Sequence, residues 1–187
     1  MVKFALSSAL AGLCALWAGS ATADPFWPGF YTVIGYSGLK PNYKSVANVS
    51  PPSYLDGVEA DAGWRFNRYY SVEAGYNYDV ASTHDKGNDF NATVQSGAID
   101  GIGYLPFGGN SPLALFGDVG AAVFFVNNQS PLITHGNHTR FGGRAGGGLQ
   151  YQFDDDLGVR LSGRYEWSGD SYMRSAEVFT VGLVWQR

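Results

Sequence analysis

The chain has 187 residues, which is enough for one domain of ordinary size. Its net charge of −4 argues against a nucleic-acid partner, which would favour a basic protein. Charged residues make up only 15% and glycine contributes 26 residues, whereas a soluble domain commonly has about 25% charged residues and about 7% glycine. This composition argues against a domain whose whole surface meets water and, with 16% aromatic residues, favours β-structure in a membrane.

The first 23 residues predict a secretion signal that is removed from the mature chain. Lys3 supplies an early positive charge, residues 4–19 form an apolar run, and Ala21-Thr22-Ala23 has the small-residue pattern of a cleavage site. The run is shorter than the roughly 20 residues that a spanning helix needs. Cys14, the single cysteine, lies inside it. The mature barrel domain, 24–187, therefore has no disulfide, and without Lys3 it holds 11 Lys and Arg against 16 Asp and Glu, a net charge of −5.

From residue 24 onward, apolar and polar residues alternate in segments that turn residues separate, and no window carries apolar residues at the helical spacing. A period of two residues predicts β-strands with two different faces. The eight segments cover residues 30–38, 57–66, 70–78, about 94–105, 113–126, 140–153, 157–167 and 176–187. An even number of strands, most of them about 9–11 residues long, is typical of bacterial membrane barrels.

The connections between these segments alternate in length. Those after the second, fourth and sixth segments are short or rich in Pro, Gly and Asp, whereas those at 39–56, 79–93, 127–139 and 168–175 are long and polar. Short turns at one end and long loops at the other are the pattern of outer-membrane barrels. The sequence therefore predicts an all-β fold, an eight-stranded antiparallel up-and-down transmembrane β-barrel, with the four long loops outside the cell.

The two faces of the segments differ in charge, most clearly in the seventh. Val159, Leu161 and Tyr165 lie on one face, and Arg160 and Arg164 lie on the other. We expect the apolar face to meet lipid, because aromatic residues concentrate at the segment ends, where membrane barrels place their interfacial girdles. The opposite orientation would give a secreted, lipocalin-like ligand carrier with an aromatic-lined pocket, and this alternative stays open.

The fourth segment fits this orientation least well. Asp100 has the same parity as Ala98, Ile102 and Tyr104, so an apolar outer face would aim its carboxylate at lipid. A bulge near the glycines that follow would redirect the side chain. The sequence alone leaves the orientation of Asp100 open.

The opposite, charged face predicts a filled lumen. The interior of an eight-stranded barrel is just wide enough for side chains, and an unpaired charge there would cost several kcal/mol. We therefore expect acids of the second, third and fifth segments to pair with arginines of the sixth and seventh, which plugs the barrel. The predicted lumen charges are Glu59, Asp61, Arg65, Glu73, Asp118, Arg144, Arg160, Arg164 and Glu166.

The last segment carries a family likeness. Gly182-Leu183-Val184-Trp185-Gln186-Arg187 resembles the closing strand of eight-stranded outer-membrane barrels similar to the transmembrane domain of outer membrane protein A. Phe30-Tyr31-Thr32, Asp118-Val119-Gly120 and the stretch at 147–151 agree with it in type. The resemblance implies the outer membrane of a Gram-negative bacterium, with membrane lipid and lipopolysaccharide as surroundings.

The chain departs from this family at its end. Family members commonly finish on an aromatic residue that the barrel assembly machinery reads, whereas this chain finishes on Arg187. The resemblance therefore implies that Trp185 serves as the assembly signal. No peptidoglycan-binding domain follows the last segment in this sequence.

The sequence offers little catalytic chemistry. His84, His135 and His138 all fall in predicted loops, and the pair at 135 and 138 matches no strong metal-binding pattern. Ser82-Thr83-His84-Asp85 holds the residue types of a hydrolytic triad, but a triad is defined by spatial geometry and not by adjacency. We expect no enzyme, metal or cofactor, and a scaffold whose loops meet a host or envelope protein. A lipid A-modifying enzyme is the alternative.

Overall fold

The computed structural model describes residues 26–43, 53–85, 88–108, 111–129, 138–169 and 173–187. Within these ranges the strands are β1 (Gly29–Tyr43), β2 (Leu55–Asn67), β3 (Tyr70–Asp85), β4 (Asn88–Pro106), β5 (Leu113–Gln129), β6 (His138–Gln152), β7 (Leu157–Trp167) and β8 (Met173–Gln186). Each strand pairs antiparallel with its sequence neighbour, and β1 also pairs with β8, so the sheet closes. The predicted eight-stranded up-and-down barrel is confirmed. The predicted signal peptide lies outside the described residues.

No helix of the described ranges is long and apolar enough to cross a membrane. The two ends of the barrel differ in their connections. The turn end holds the short connections β2–β3, β4–β5 and β6–β7, whereas the loop end holds the other four connections. In outer-membrane barrels the short turns face the periplasm and the loops face outward.

Side chains of the turn residues hold the short connections in place. Asn67 Oδ1 accepts hydrogen bonds from the backbone N–H groups of Tyr69 and Tyr70 at 2.8 and 3.0 Å. Asp154 Oδ1 accepts them from Asp156 and Leu157 at 2.9 and 2.7 Å. These are Asx-type turns, in which a short polar side chain replaces a backbone acceptor. The acidic run at 154–156 therefore forms a turn, as its position between two strands suggests.

The strands extend further at the loop end than the sequence indicates. The β3–β4 ladder continues until Asp85 pairs with Asn88, so most of the predicted loop 79–93 is a β-hairpin. Ala92 belongs to this extension and points inward beside Val94, and both are buried in an apolar cluster. Burial of these side chains stabilises the extended ladder. The two strands therefore stay paired beyond the point where apolar residues cease to alternate on the lipid-facing side.

The two faces of the wall are oriented as predicted. On the outside, Ile34, Val119 and Leu183 have 68%, 63% and 59% of their surface exposed. The exposed aromatic side chains gather toward the two ends, with Trp64 and Trp185 near the turn end and Tyr36, Phe141 and Trp167 near the loop end. The charged side chains at the alternate positions of the strands are buried. An apolar outside and a charged inside exclude the inverted, soluble barrel.

The fourth strand corrects one expectation. Asp100 is 1% exposed and faces the lumen together with Ile102 and Tyr104, whereas Ile99 and Leu105 face outward. The registers of β4 with β3 and β5 run without a break, so no bulge redirects the side chain. The expectation that the apolar face of this strand points outward was wrong, because several outer positions of β4 are glycines and its larger apolar side chains help to fill the lumen; the orientation of Asp100, which the sequence left open, is inward.

Candidate functional site: the filled lumen

Three layers of side chains fill the lumen along the barrel axis. The aromatic layer, at the turn end, surrounds Arg65. The ion-pair layer, in the middle, contains the other buried arginines and most of the buried carboxylates. The apolar layer, at the loop end, is built from buried Leu, Val, Ala, Phe and Met residues. Each layer comes from inward positions of several strands, so the contacts cross the barrel.

Arg164 of β7 is the centre of the ion-pair layer. Its guanidinium forms a short ion pair with Glu59 of β2. The same group donates from Nε to Asp118 Oδ2 of β5 at 3.1 Å and lies 3.6 Å from Glu73 Oε1 of β3. One buried cation thus joins carboxylates from three other strands, including strands on the far side of the barrel.

Arg160, four residues earlier on β7, extends the network toward the turn end. Its Nη1 donates to Glu73 Oε2 at 2.6 Å, and its Nη2 donates to the Tyr104 hydroxyl at 3.0 Å. Nε also donates to Gln150 Oε1 of the neighbouring strand at 3.2 Å. Charge-assisted bonds of this kind are the strongest in proteins, and here they link the ion-pair layer to the aromatic layer.

Arg144 of β6 forms the third centre. It binds Asp100 with both Nε and Nη2, and the Nε distances to the two carboxylate oxygens are 2.8 and 3.0 Å. Its Nη1 lies 3.8 Å from Glu166 Oε1, which the register places directly opposite on β7. Asp100, whose orientation the sequence left open, therefore supplies the main partner of a predicted lumen arginine.

Arg65 has no carboxylate partner among the described residues and is instead enclosed by aromatic rings. Its guanidinium carbon lies 5.1, 5.1 and 4.8 Å from the ring centres of Phe26, Tyr31 and Tyr104. Nη1 donates to Gln186 Oε1 at 2.5 Å. A cation over aromatic faces gains cation–π stabilisation when it is desolvated. The aromatic layer thus closes the turn end around a positive charge.

Two buried acids, Asp61 and Asp79, form no ion pair with an arginine among the described residues. Only Asp61 was predicted as a lumen charge. Asp79 Oδ1 accepts a hydrogen bond from Ser37 at 2.7 Å, and Oδ2 accepts one from Asn77 at 2.7 Å. Asp61 Oδ1 is buried and has no hydrogen-bond partner in the described part of the chain. Asp79 was not predicted as a lumen charge because the predicted third strand ended at residue 78, although position 79 continues the inward parity.

The apolar layer was also missed. It contains Leu39, Leu55, Ala92, Val94, Ala98, Ala122, Phe124, Val126, Met173, Ala176 and Val178. On the outer surface of β1 and β8 at this level, Lys40 Nζ contacts Glu177 Oε2 at 3.2 Å. A charged exterior over an apolar interior is the arrangement of a water-soluble barrel, so the loop end of β1 and β8 extends beyond the hydrocarbon.

The closing strand places Trp185 and Gln186 on opposite faces. Trp185 is 57% exposed at the turn-end girdle and pairs with Thr32 and Leu157. Gln186 points inward, where its Nε2 donates to the Trp27 carbonyl at 2.6 Å. The last strand is therefore tied to the N-terminal segment as well as to β1 and β7.

The histidines belong to the loop end of the chain. His84 belongs to β3 and pairs through the backbone with Asp89, and His138 begins β6 opposite Val126. His135 lies outside the described residues. Among the residues that the structure describes, no three His, Cys, Asp or Glu side chains are arranged to hold a metal ion.

A closed barrel of eight strands with an apolar wall and a lumen filled by ion pairs is a small integral outer-membrane protein. The chain belongs to the family of outer membrane protein β-barrel domains, whose model matches residues 7–186. No curated protein sequence matches it.

Solved structures with the same fold come from several bacteria. The crystal structure of Ail, the attachment invasion locus protein of Yersinia pestis, is 13% identical, has a TM-score of 0.63, and covers 86% of this chain and 99% of its own. Neisserial surface protein A is 15% identical with a TM-score of 0.66, over 85% and 97% of the two chains. OprG of Pseudomonas aeruginosa is 10% identical with a TM-score of 0.59, over 88% and 99%. The family and these folds place the protein in the outer membrane of a Gram-negative bacterium.

Proposed function

We propose that this protein is a non-conducting and non-enzymatic scaffold that displays its loop-end connections to a host or envelope protein. The observation that carries the proposal is the filled lumen. Three stacked layers of buried side chains occupy the space that a pore would need. A barrel of this kind offers its outer end as its main working surface, which suits adhesion, a surface-antigen role or envelope integrity.

The structure of the loop end supports this proposal. Beyond the aromatic girdle at the loop end the strands continue, with the apolar layer inside and polar groups such as Lys40 and Glu177 outside. A packed interior stiffens the strand ends from which the connections start. The names of two structural neighbours, an attachment invasion locus protein and a surface protein, fit a role at the cell surface.

The charge of the chain favours a protein partner over a sulfated polysaccharide. Ail has been solved in complex with the heparin analogue sucrose octasulfate. The mature form of the present chain carries a net charge of −5 after removal of residues 1–23, which opposes a polyanion. We therefore expect sucrose octasulfate to bind weakly or not at all.

The wall itself has simpler partners. Its apolar band meets membrane lipid, and the exposed polar groups at the loop end lie at the level of lipopolysaccharide headgroups. We also propose that the barrel assembly machinery recognises the last strand through Trp185, which presents its ring on the outer surface.

The test replaces the connections at 44–52 and 130–137 by short Gly-Ser linkers in bacteria that display the protein. The matched control replaces residues 107–112 at the turn end. We expect both variants to keep heat-modifiable gel migration and only the loop-end variant to lose attachment to host cells or to an envelope partner. Stepwise conductance of the purified protein in planar bilayers, or altered lipid A in cells that express it, would instead support a channel or an enzyme.

A further inference from the structure

The lumen contains more negative than positive charge. Among the described residues, four arginines and seven carboxylates are buried there. If all of them were ionised, the excess would be three negative charges in a space that is shielded from water. These residues are Arg65, Arg144, Arg160, Arg164, Glu59, Asp61, Glu73, Asp79, Asp100, Asp118 and Glu166.

Asp61 differs from the other six acids because it has neither a hydrogen-bond donor nor a cation within 4.0 Å among the described residues. It is 5% exposed, its Oδ1 has no hydrogen-bond partner, and no Lys, Arg or His nitrogen of the described residues lies within 4.0 Å of its carboxylate. Glu73, Asp118 and Glu166 also have one oxygen without a hydrogen bond. The other oxygen of Glu73 and of Asp118 accepts a hydrogen bond from an arginine, and the other oxygen of Glu166 lies 3.8 Å from Arg144 Nη1. Asp61 has no such compensation.

The charged neighbours of Asp61 do not neutralise it. Asp61 Oδ1 occupies the space that a Cβ at Gly75 would fill, and Arg144 Nη2 borders that space at 3.0 Å. Arg144 already donates hydrogen bonds to Asp100 from both Nε and Nη2. On the β1 side, the register places Val33 beside Asp61, and Val33 offers no charge.

Other charged side chains around Asp61 both repel and attract a negative charge on its carboxylate. Glu59 on the same strand and Glu73 on β3 repel its negative charge, while Arg164 and Arg160 of β7 attract it from a greater distance. Both arginines already donate to other carboxylates. An additional negative charge at this position would therefore cost several kcal/mol, as for any unpaired buried ion.

We propose that Asp61 is a proton-binding site and lies in the folded lumen as a neutral carboxylic acid. A divalent metal ion is a poorer counter-ion here, because it needs several oxygen ligands and the described residues contain no group of three suitable side chains. A proton needs a single carboxylate oxygen. The carboxylate takes it from solvent as the chain folds, and no other bond changes.

This proposal fixes the sign of a pH dependence. In the unfolded chain an aspartate is ionised above about pH 4, so folding takes up one proton at neutral pH. Raising the pH then favours the unfolded state, and one proton changes the unfolded-to-folded ratio about tenfold per pH unit. Asp61→Asn keeps the shape of the neutral acid and removes the proton, so it also removes this share of the dependence.

The experiment compares urea unfolding of the wild type and D61N in lipid vesicles between pH 6 and pH 9. We expect D61N to fold, to equal or exceed the wild type in stability at pH 9, and to show a slope smaller by one proton. The matched control is E73Q, which removes a neighbouring lumen carboxylate whose Oε2 lies 2.6 Å from Arg160. E73Q should be destabilised at every pH.

A second readout uses the infrared carbonyl band of protonated carboxylic acids. We expect the folded wild type to show such a band at pH 7, D61N to lose part of it, and E73Q to keep it. Equal slopes for wild type and D61N, an infrared spectrum that D61N leaves unchanged, or failure of D61N to fold would each overturn the proposal, because a neutral isostere must be tolerated at a neutral site.

Discussion

Replacement of Arg144 by Met tests whether the ion-pair layer holds the barrel together. The side chain of Met has a similar length but no charge, so Asp100, which is 1% exposed, loses its bound guanidinium. Removing one partner of a buried ion pair costs about 3–5 kcal/mol, which lowers the folded-to-unfolded ratio between roughly 100-fold and 5,000-fold. Glu166, at 3.8 Å from Arg144, loses a weaker contact.

The double variant Arg144→Met with Asp100→Asn supplies the control. It removes both charges of the pair, so Asp100 no longer leaves an unpaired ion, and only the weaker contact of Glu166 is lost. Replacing both partners of a buried ion pair is often close to neutral. Urea unfolding followed by heat-modifiable gel migration measures both variants in vesicles. We expect the double variant to recover most of the stability that the single variant loses. A single variant as stable as the wild type, or a double variant no better than the single one, would refute the assignment of the pair.

Three further predictions test the wall. Trp185→Ala should slow insertion into the outer membrane, measured by pulse-labelled assembly, while the folded protein keeps its heat-modifiable migration. A spin label at Leu161 should report a hydrocarbon environment and one at Ser162 should not, because the two residues face opposite sides of β7. Val119→Arg, near the middle of the lipid-facing wall, should cost about 2–4 kcal/mol, whereas the same change at Thr93 near the loop end should cost about 0–1 kcal/mol; equal costs would contradict the membrane position assigned to the wall.

Most of the fold could be predicted because lipid on one side of the wall and the lumen on the other require apolar and charged residues to alternate along each strand. In β7, outward Leu161 and Tyr165 alternate with inward Arg160 and Arg164, and the structure keeps that order. The alternation has a period of two, so a single clear strand fixes the orientation of the whole sheet once the neighbours are paired.

The partners within the lumen could not be predicted in the same way. Parity places Arg144 inside but does not tell which carboxylate it meets, since Asp100 comes from two strands away in the sheet. The orientation of Asp100 could not be predicted for a related reason. Its strand has glycines at several outer positions and Ile102 and Tyr104 at inner ones, so polarity no longer separates the two faces.

The ends of the strands show why a prediction from polarity alone makes a strand too short. Along β1 the parity never changes, and yet the chemistry reverses: Tyr36 faces outward where the wall meets the girdle, whereas beyond it Leu39 is buried inside and Lys40 is exposed outside. The reversal follows from the surroundings, because outside the bilayer the wall meets water and only the interior remains shielded. A search for one fixed pattern therefore ends the strand at the membrane surface. A search that lets the apolar face switch sides at constant parity would continue β1 to its full length. β8 shows the same switch, because outward Phe179 is followed toward the loop end by inward Val178 and outward Glu177.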